Sequence, residues 1–494
     1  MGAEYSPPPG SIPTLPVPDL SGMRGVHLVG IGGAGMSGIA RLLLARGVRV
    51  SGSDLKDGPA IRALRGEGAS VRVGHDDVLL GDVDAVVVST AIAPDNPEVV
   101  AARSRGIPVL ARAQVLAALM RDGRGVAVAG THGKTTTTSM VAVILERAGL
   151  DPTYVIGGDL NESGSNARSG SGDLFVAEAD ESDGSFLLLS PEIAVVTNVE
   201  EDHLDFFPGR QEIESAFAVF CRGAGLVVAC GDDPGVRRVL ADAGVPAVTY
   251  GESPQNDVRM ERVEILPQGS RCVVRWADAE QELAVALPGR HHLLNATAAA
   301  VVARHLGVEP ASAAAALETF RGVRRRYEPR GSASGATFVD DYAHHPTEIA
   351  ATLASARASS AAGDGTGRVV AVFQPHRYTR TAAMWRQLGA SLAQADVAVV
   401  TDVYAAGERP VPGITGKLVV DALAEAAPGK RIVYLPHRAD VAPFLAHEVR
   451  PGDLVLTLGA GDITMVSEET LARLVTPESH LPAEPEMPGA SRGR

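Results

Sequence analysis

Gly130-Thr131-His132-Gly133-Lys134-Thr135-Thr136 is the run best equipped for chemistry, and that chemistry is the handling of a phosphate. Glycines let a backbone curl until its N–H groups face an anion. A lysine in such a loop reaches the β- and γ-phosphates of a nucleotide, and a following hydroxyl suits Mg²⁺. The run departs from G-x-x-x-x-G-K-[ST]: position 128 is valine and the first glycine is Gly130, so the loop is a shortened relative. Without nucleotide, Lys134 is expected to face solvent. The plainer alternative is a glycine turn with a solvated lysine.

Two acidic runs supply hard oxygen ligands for the metal that a nucleotide needs. One is Glu178-Ala179-Asp180-Glu181-Ser182-Asp183; the other is Glu200-Glu201-Asp202-His203 after Thr197-Asn198. Each follows an apolar strand, and open parallel sheets bind ligands beyond the carboxyl ends of their strands. Thr135, Glu178 and His203 are the candidate Mg²⁺ ligands. The alternative for any acidic run is a solvated surface.

A second glycine loop, Gly30-Ile31-Gly32-Gly33-Ala34-Gly35, fits G-x-G-x-x-G, and Asp54 stands some twenty residues on. The loop suits a diphosphate on a helix N-terminus. NAD carries one and so does UDP, and the pattern does not choose between them.

Short valine-rich runs alternating with helical stretches must position these loops, which predicts parallel α/β architecture. Runs at 26–29, 48–50, 71–73 and 85–88 form a first block, ending near Met120 before a polar linker at 121–125. Runs at 126–129, 174–177, 193–197 and 226–229 form a second, with alternating β structure over 255–286 and an alanine-rich helix over 293–305. An amphipathic helix carrying Met140, Val141, Ile144 and Leu145 follows the phosphate loop. Runs at 337–339, 369–373, 397–400, 432–435 and 454–458 form a third block. The expected division is a flexible arm at 1–20, domains at 21–122, 123–322 and 323–476, and a disordered tail at 477–494.

Composition agrees with a globular chain: of 494 residues, 45% are hydrophobic, 21% charged and only 4% aromatic, so aliphatic residues must fill the cores. A net charge of -14 argues against a general nucleic-acid binder. The widely spaced Cys221, Cys230 and Cys272 suit a reducing compartment and form no zinc pattern. No apolar run approaches the ~20 residues of a membrane span, and the proline-rich start does not read as a signal peptide. A cytoplasmic protein without membrane insertion is expected.

Eight runs in order resemble the Mur ligase family: 30–40 (GIGGAGMSGIA), 130–138 (GTHGKTTTT), 178–183 (EADESD), 197–203 (TNVEEDH), 340–348 (DDYAHHPTE), 373–380 (FQPHRYTR), 402–408 (DVYAAGE) and 459–463 (GAGDI). The resemblance covers roughly residues 23–466. It implies an N-terminal Rossmann-like domain for a UDP-sugar, a central P-loop ATPase-type domain, and a C-terminal Rossmann-like domain for an amino acid. The alanine-adding pattern fits best, so the implied substrates are ATP, UDP-N-acetylmuramate and L-alanine, with Mg²⁺ and a monomer or weak homodimer. A sibling that attaches a preformed tripeptide to the same nucleotide is the alternative.

By resemblance, Lys134, Glu178 and His203 carry catalysis. Residues 130–136, Asn295, Arg326 and Asp341 hold ATP. Gly32, Gly33, Ala34, Gly35, Asp54, His75 and Ser89 hold the UDP-sugar, and Tyr342, His344 and Arg377 surround the alanine. Two departures stand out. Sister ligases need a carbamylated lysine soon after the residue matching His203, whereas residues 204–233 contain no lysine. The family's His-Asn pair before the adenine-contacting asparagine is His291-His292 here, leaving the role of His292 open.

Overall fold

In the computed structural model, which describes residues 15–76, 80–161, 163–204, 206–362 and 367–475, the valine-rich runs form three sheets. The chain divides into two compact units, Met1–Arg326 and Tyr327–Arg494. The tail over 477–494 and residues 1–14 of the arm lie outside the described residues.

In the first unit, β1 (Gly25–Val29), β2 (Arg49–Asp54), β3 (Ser70–Val73), β4 (Ala85–Val88) and β5 (Val109–Ala111) pair in parallel in the order β3-β2-β1-β4-β5. The order reverses beside β1, and such a switch point opens a crevice at the strand ends. The first glycine loop leaves β1 there, and Ser89 leaves β4.

The same unit holds a ten-stranded sheet. Its strands are β6 (Arg124–Ala129), β7 (Thr153–Val155), β8 (Ala167–Arg168), β9 (Leu174–Glu178), β10 (Ile193–Val196), β11 (Leu226–Cys230), β12 (Ala247–Gly251), β13 (Val258–Leu266), β14 (Gly269–Arg275) and β15 (Glu280–Val285). The order is β15-β14-β13-β12-β11-β10-β6-β9-β7-β8. β6 therefore lies between β9 and β10, and the phosphate loop and both acidic runs leave neighbouring strands at the same end. β6 and β10 are buried almost throughout, as continuous valine-alanine runs require in a sheet covered on both faces. The alternating segment forms the antiparallel ribbon β13–β14–β15.

Two expectations are corrected. The polar segment at 121–125 is not wholly a linker, because β6 begins at Arg124. The helix Lys134–Arg147 is not amphipathic: it is buried on all sides from Thr135 to Leu145, because the alanine-rich helix Arg290–His305 packs against it. Strands β5, β7 and β8 are short, β16 (Glu328–Ala333) edges its sheet, and β12 is the mixed run AVTYG, so no long apolar run marks any of them.

Asn166 joins the two sheets of this unit. Its Nδ2 donates to the Ala34 carbonyl and to Ser37 Oγ, at the start of the helix Ala34–Ala45. Gly38 allows a close approach there, since a Cβ would lie 3.1 Å from Val155 Cγ1 and 3.4 Å from Ala167 Cβ. All three cysteines are buried in this unit, and burial pushes each thiol up to about 12.

The second unit adds β16, β17 (Ala336–Asp341), β18 (Val369–Phe373), β19 (Val397–Val400), β20 (Arg431–Tyr434) and β21 (Leu454–Leu458) in the order β16-β17-β21-β18-β19-β20. All pairs are parallel except β16–β17. Loops after β17, β21 and β18 emerge side by side. Among the described residues no helix is long and apolar enough to cross a membrane.

Candidate active site

The phosphate loop is held from beneath by the run after β10. His132 N donates to Asn198 Oδ1 at 2.7 Å, Thr197 Oγ1 donates to the His132 carbonyl at 2.6 Å, and Glu200 N donates to Thr131 Oγ1 at 2.9 Å. Gly130 has φ +136° and a Cβ there would lie 2.0 Å from Thr197 Oγ1, so only glycine fits. Gly133, at φ +81°, caps the following helix, whose Thr136 is buried.

Lys134 does not face solvent, contrary to expectation. Its side chain is 13% exposed, and Nζ donates to both Glu181 oxygens at 2.8 Å and to the Gly130 carbonyl at 2.6 Å. Burial opposes the ammonium charge, but Glu181, Asp180 and Glu178 outweigh it and raise the pKa. An unpartnered ammonium at the strand ends would be costly, and the nearest carboxylate neutralises it.

Glu178, the last residue of β9, accepts from Thr135 Oγ1 at 3.1 Å and from Gly157 N at 2.8 Å. A hydroxyl and a carboxylate thus meet at the helix start, a donor pair suited to a hard cation. His203 lies elsewhere in the cluster, its Nε2 3.6 Å from Glu181 Oε1 and 3.7 Å from Asp202 Oδ2, with its backbone at φ +52°. Positive φ on a non-glycine residue is strain that clusters at functional sites.

Asn295 reaches the same loop, its Oδ1 2.7 Å from the position of a Cβ on Gly133. Arg326 Nη2 lies 3.5 Å from Thr135 Oγ1. His292 is buried beside His291, with both ring nitrogens lacking a hydrogen-bond partner, and burial holds its pKa well below the ordinary value.

At the first glycine loop, the Ser53 carbonyl accepts from Gly30 N at 2.8 Å and Ile31 N at 3.0 Å, while Asp54 Oδ2 accepts from Gly32 N at 2.9 Å. Asp54 therefore braces the loop. Gly33 caps the helix Ala34–Ala45 without a side-chain hydrogen bond or an acidic residue in the first turn, which leaves its positive end open to an anion. His75 Nδ1 lies 2.9 Å from Ser53 Oγ, so the structure brings His75 to this loop. Ser89 stands half-buried after β4.

Sequence reasoning missed Arg112. Its Nη1 lies 2.7 Å from the position of a Cβ on Gly35, and its Nη2 is 3.5 Å from Asp180 Oδ2, so it links the first glycine loop to the acidic run. It lies in no phosphate motif, and only the fold reveals its placement.

In the second unit, the loops after β17, β18 and β19 build a chain of rings. Tyr342 and His344 have centroids 5.1 Å apart, His344 and His376 5.6 Å, and His376 stacks on Tyr404 at 5.8 Å. His376 and Tyr404 fall within the runs 373–380 and 402–408, whose resemblance implies no role for either. Burial pushes the His344 imidazole down to about 3, although Glu348 pulls the other way. Arg377 begins the helix Tyr378–Ser391 from φ +66°, held by its N–H to the Tyr404 carbonyl at 2.9 Å. Asp341 is buried, and its oxygens accept from Tyr327 N and Ala343 N, both at 2.8 Å. Those bonds brace the loop carrying Tyr342.

Comparison with known proteins decides the family. The chain matches the models of the Mur ligase family, catalytic domain, at residues 25–124, the Mur ligase middle domain at 128–303, and the Mur ligase, glutamate ligase domain, at 325–461. The chain belongs to the Mur ligase family. Within it, the chain is 49% identical to the UDP-N-acetylmuramate–L-alanine ligase of Rubrobacter xylanophilus, over 91% of this chain and 100% of that one. It is 51% identical to the ligase of the same name from Acidothermus cellulolyticus, over 88% of this chain and 91% of that one. The crystal structure of the UDP-N-acetylmuramate-alanine ligase of Thermotoga maritima is similar at TM-score 0.78 and 31% identity, covering 91% of this chain and 99% of that one. A murein peptide ligase from Psychrobacter arcticus is similar at TM-score 0.69 and 25% identity, covering 93% of this chain and 100% of that one.

Proposed function

We propose that this Mur ligase joins L-alanine to the lactyl carboxylate of UDP-N-acetylmuramate, hydrolysing ATP to ADP and phosphate, as a step of peptidoglycan synthesis in the cytoplasm. The observation carrying this reading is identity of about half, over nearly the whole chain, to ligases of that name. The geometry supplies the parts. Residues 21–122 would hold the nucleotide sugar, 123–322 ATP and 323–476 the amino acid.

A carboxylate resists attack by an amine because its leaving group would be oxide. Transfer of the γ-phosphoryl group to the lactyl carboxylate gives an acyl phosphate, whose leaving group is phosphate. The alanine amine then attacks the carbonyl, and a tetrahedral intermediate expels phosphate. The protein's task is positioning and neutralising charge. Lys134, already charged, offsets negative charge on the transferring group. The first-turn amides of the helix Ala34–Ala45, with His75 and Ser89, would hold the UDP moiety. Tyr342, His344 and Arg377 would hold alanine, with the guanidinium pairing its carboxylate through two parallel hydrogen bonds.

Thr135 and Glu178, whose oxygens lie 3.1 Å apart, are donors that fit Mg²⁺ and would hold it, while His203, beside Glu181 and Asp202, would offer a metal ligand from the neighbouring acidic run. The ion would supply charge neutralisation on the phosphates. Asn295 and Arg326 approach the loop closely enough to serve the nucleotide.

The test is a coupled assay of ADP release. Turnover that requires both UDP-N-acetylmuramate and L-alanine is expected. Turnover only with a preformed tripeptide would replace this reading with the sibling one.

A further inference from the structure

A buried polar network runs beneath the first glycine loop, and apart from His75 none of its members has a part in the proposed reaction. Its centre is Glu98, fully buried in the first turn of the helix Pro97–Ser104, where Asn96 caps the helix and accepts from Glu98 N at 3.0 Å. Ser53 Oγ lies 2.6 Å from Glu98 Oε2, and His75 Nδ1 lies 3.2 Å from the same oxygen and 2.9 Å from Ser53 Oγ. On the other side, His27 Nε2 lies 3.6 Å from Glu98 Oε1, and His27 Nδ1 is 2.9 Å from Ser51 Oγ. His27, Ser53 and Glu98 are each 1% exposed or less, whereas the His75 side chain is 13% exposed.

Donor counting assigns the His75 proton. A hydroxyl has one hydrogen, and an ionised carboxylate has none. Ser53 gives its hydrogen to Glu98 at 2.6 Å, so towards His75 it can only accept. Both neighbours of His75 Nδ1 are then acceptors, and Nδ1 must carry the proton. A neutral imidazole protonated there presents a lone pair at Nε2.

Ser53 ties this assignment to the ligand loop. Its hydroxyl serves Glu98 and His75, while its carbonyl holds Gly30 N and Ile31 N. A buried carboxylate is expensive, and apolar packing of the same volume usually serves stability as well or better. Here the network does not close on itself but ends on the partly exposed ring beside the glycine loop.

We propose that Glu98 is a positioning residue that, through Ser53, fixes His75 as the Nδ1–H tautomer, so that His75 Nε2 accepts a hydrogen bond from the nucleoside part of the bound UDP-sugar. The inference rests on the reading of this domain as the UDP-sugar domain. The donor is an N–H or O–H group, which in a uridine nucleotide means the uracil imide or a ribose hydroxyl.

Two measurements on the full chain test it. Long-range ¹H–¹⁵N spectra, with His75 assigned by its loss in His75→Gln, should show a protonated Nδ1 and a bare Nε2 in the free protein; a protonated Nε2 with a bare Nδ1 overturns the proposal. Calorimetry should show UDP-N-acetylmuramate binding weakened about tenfold or more in Glu98→Leu, equivalent to about 1.4 kcal/mol. Glu98→Gln, which keeps an acceptor oxygen, should lose less, and ATP affinity should be unchanged in both. An unchanged affinity in folded Glu98→Leu overturns the proposal. If that variant fails to fold, Ser53→Ala replaces it, with weaker UDP-sugar binding and mixed His75 tautomers expected, and no change in either overturning it. Competition by N3-methyl-UDP and 2′-deoxy-UDP separates the imide from the 2′-hydroxyl. Failure of the wild-type chain to bind UDP-N-acetylmuramate removes the substrate reading, while the tautomer measurement still judges the role of Glu98.

Discussion

The ammonium of Lys134 lies 2.8 Å from each carboxylate oxygen of Glu181. The loop lysine is therefore not idle before nucleotide arrives. On the proposed reading, phosphate oxygens entering the loop would share Lys134 with Glu181 or displace it, so Glu181 would act as an internal competitor.

Removing that competitor should be visible. Glu181→Gln is expected to tighten a non-hydrolysable ATP analogue by about tenfold, since a hydrogen bond to a charged group is worth about 1.5–3 kcal/mol. Lys134→Ala should abolish turnover and also lower Tm, because it strands a buried carboxylate. Lys134→Ala/Glu181→Gln should recover most of that Tm. An unaltered analogue affinity in Glu181→Gln, or a Lys134→Ala protein as stable as the wild type, would count against the pair.

The approach of Gly157 to Glu178 gives a second test. A Cβ at 157 would lie 2.6 Å from Glu178 Oε2, so Gly157→Ala must push the carboxylate away from Thr135. The concentration of Mg²⁺ giving half-maximal rate should rise several-fold, as in Glu178→Gln, with circular dichroism unchanged. Mg²⁺ titrations matching the wild type in both variants would show that the Thr135–Glu178 pair does not meet the metal.

Arg377 should act on alanine alone. Arg377→Lys keeps the charge but loses the planar fork, so the KM for alanine should rise about tenfold or more while those for ATP and UDP-N-acetylmuramate hold. Steady-state kinetics varying one substrate at a time settles this, and an unmoved alanine KM in both Arg377→Lys and Arg377→Ala sinks the assignment.

His344 gives a pH prediction. Its folded pKa is depressed to about 3, against about 6.5 in the unfolded chain. Below pH 6.5 the unfolded chain binds a proton that the folded unit refuses, so stability falls as pH drops from about 6.5 towards 3. The limiting slope from this one group is about 1.4 kcal/mol per pH unit. Denaturant titrations of wild type and His344→Asn between pH 7 and 4.5 should converge as pH falls; parallel curves would show that His344 does not carry the effect. The same depression keeps the imidazole neutral throughout the physiological range.

Much of this was legible in the chain because its signals are local. Gly130–Lys134 and Gly30–Gly35 need particular backbone angles, and strands such as β10 and β18 announce themselves by unbroken apolar runs. What stayed hidden depends on pairing across long separations. Glu181 sat in a quoted acidic run, but its bond to Lys134 spans 47 residues, and Glu98 meets Ser53 across 45. Arg112 reaches Asp180 across 68 residues from a helix with no motif of its own. The amphipathic reading of the helix after the phosphate loop rested on Met140, Val141, Ile144 and Leu145, and a single sequence does not show that its polar positions are also buried, with the helix Arg290–His305 packed against it.

The placement of the three cysteines turns the protein into its own stopwatch. Cys221, Cys230 and Cys272 all belong to the first unit, within the ten-stranded sheet and the helix beside it, and none of the chain's sulfhydryls lies in the second. With each thiol buried and its pKa pushed up to about 12, thiolate is scarce until that region opens. Pulsed alkylation therefore times the opening of the first unit while remaining blind to the second, with no engineered label in either.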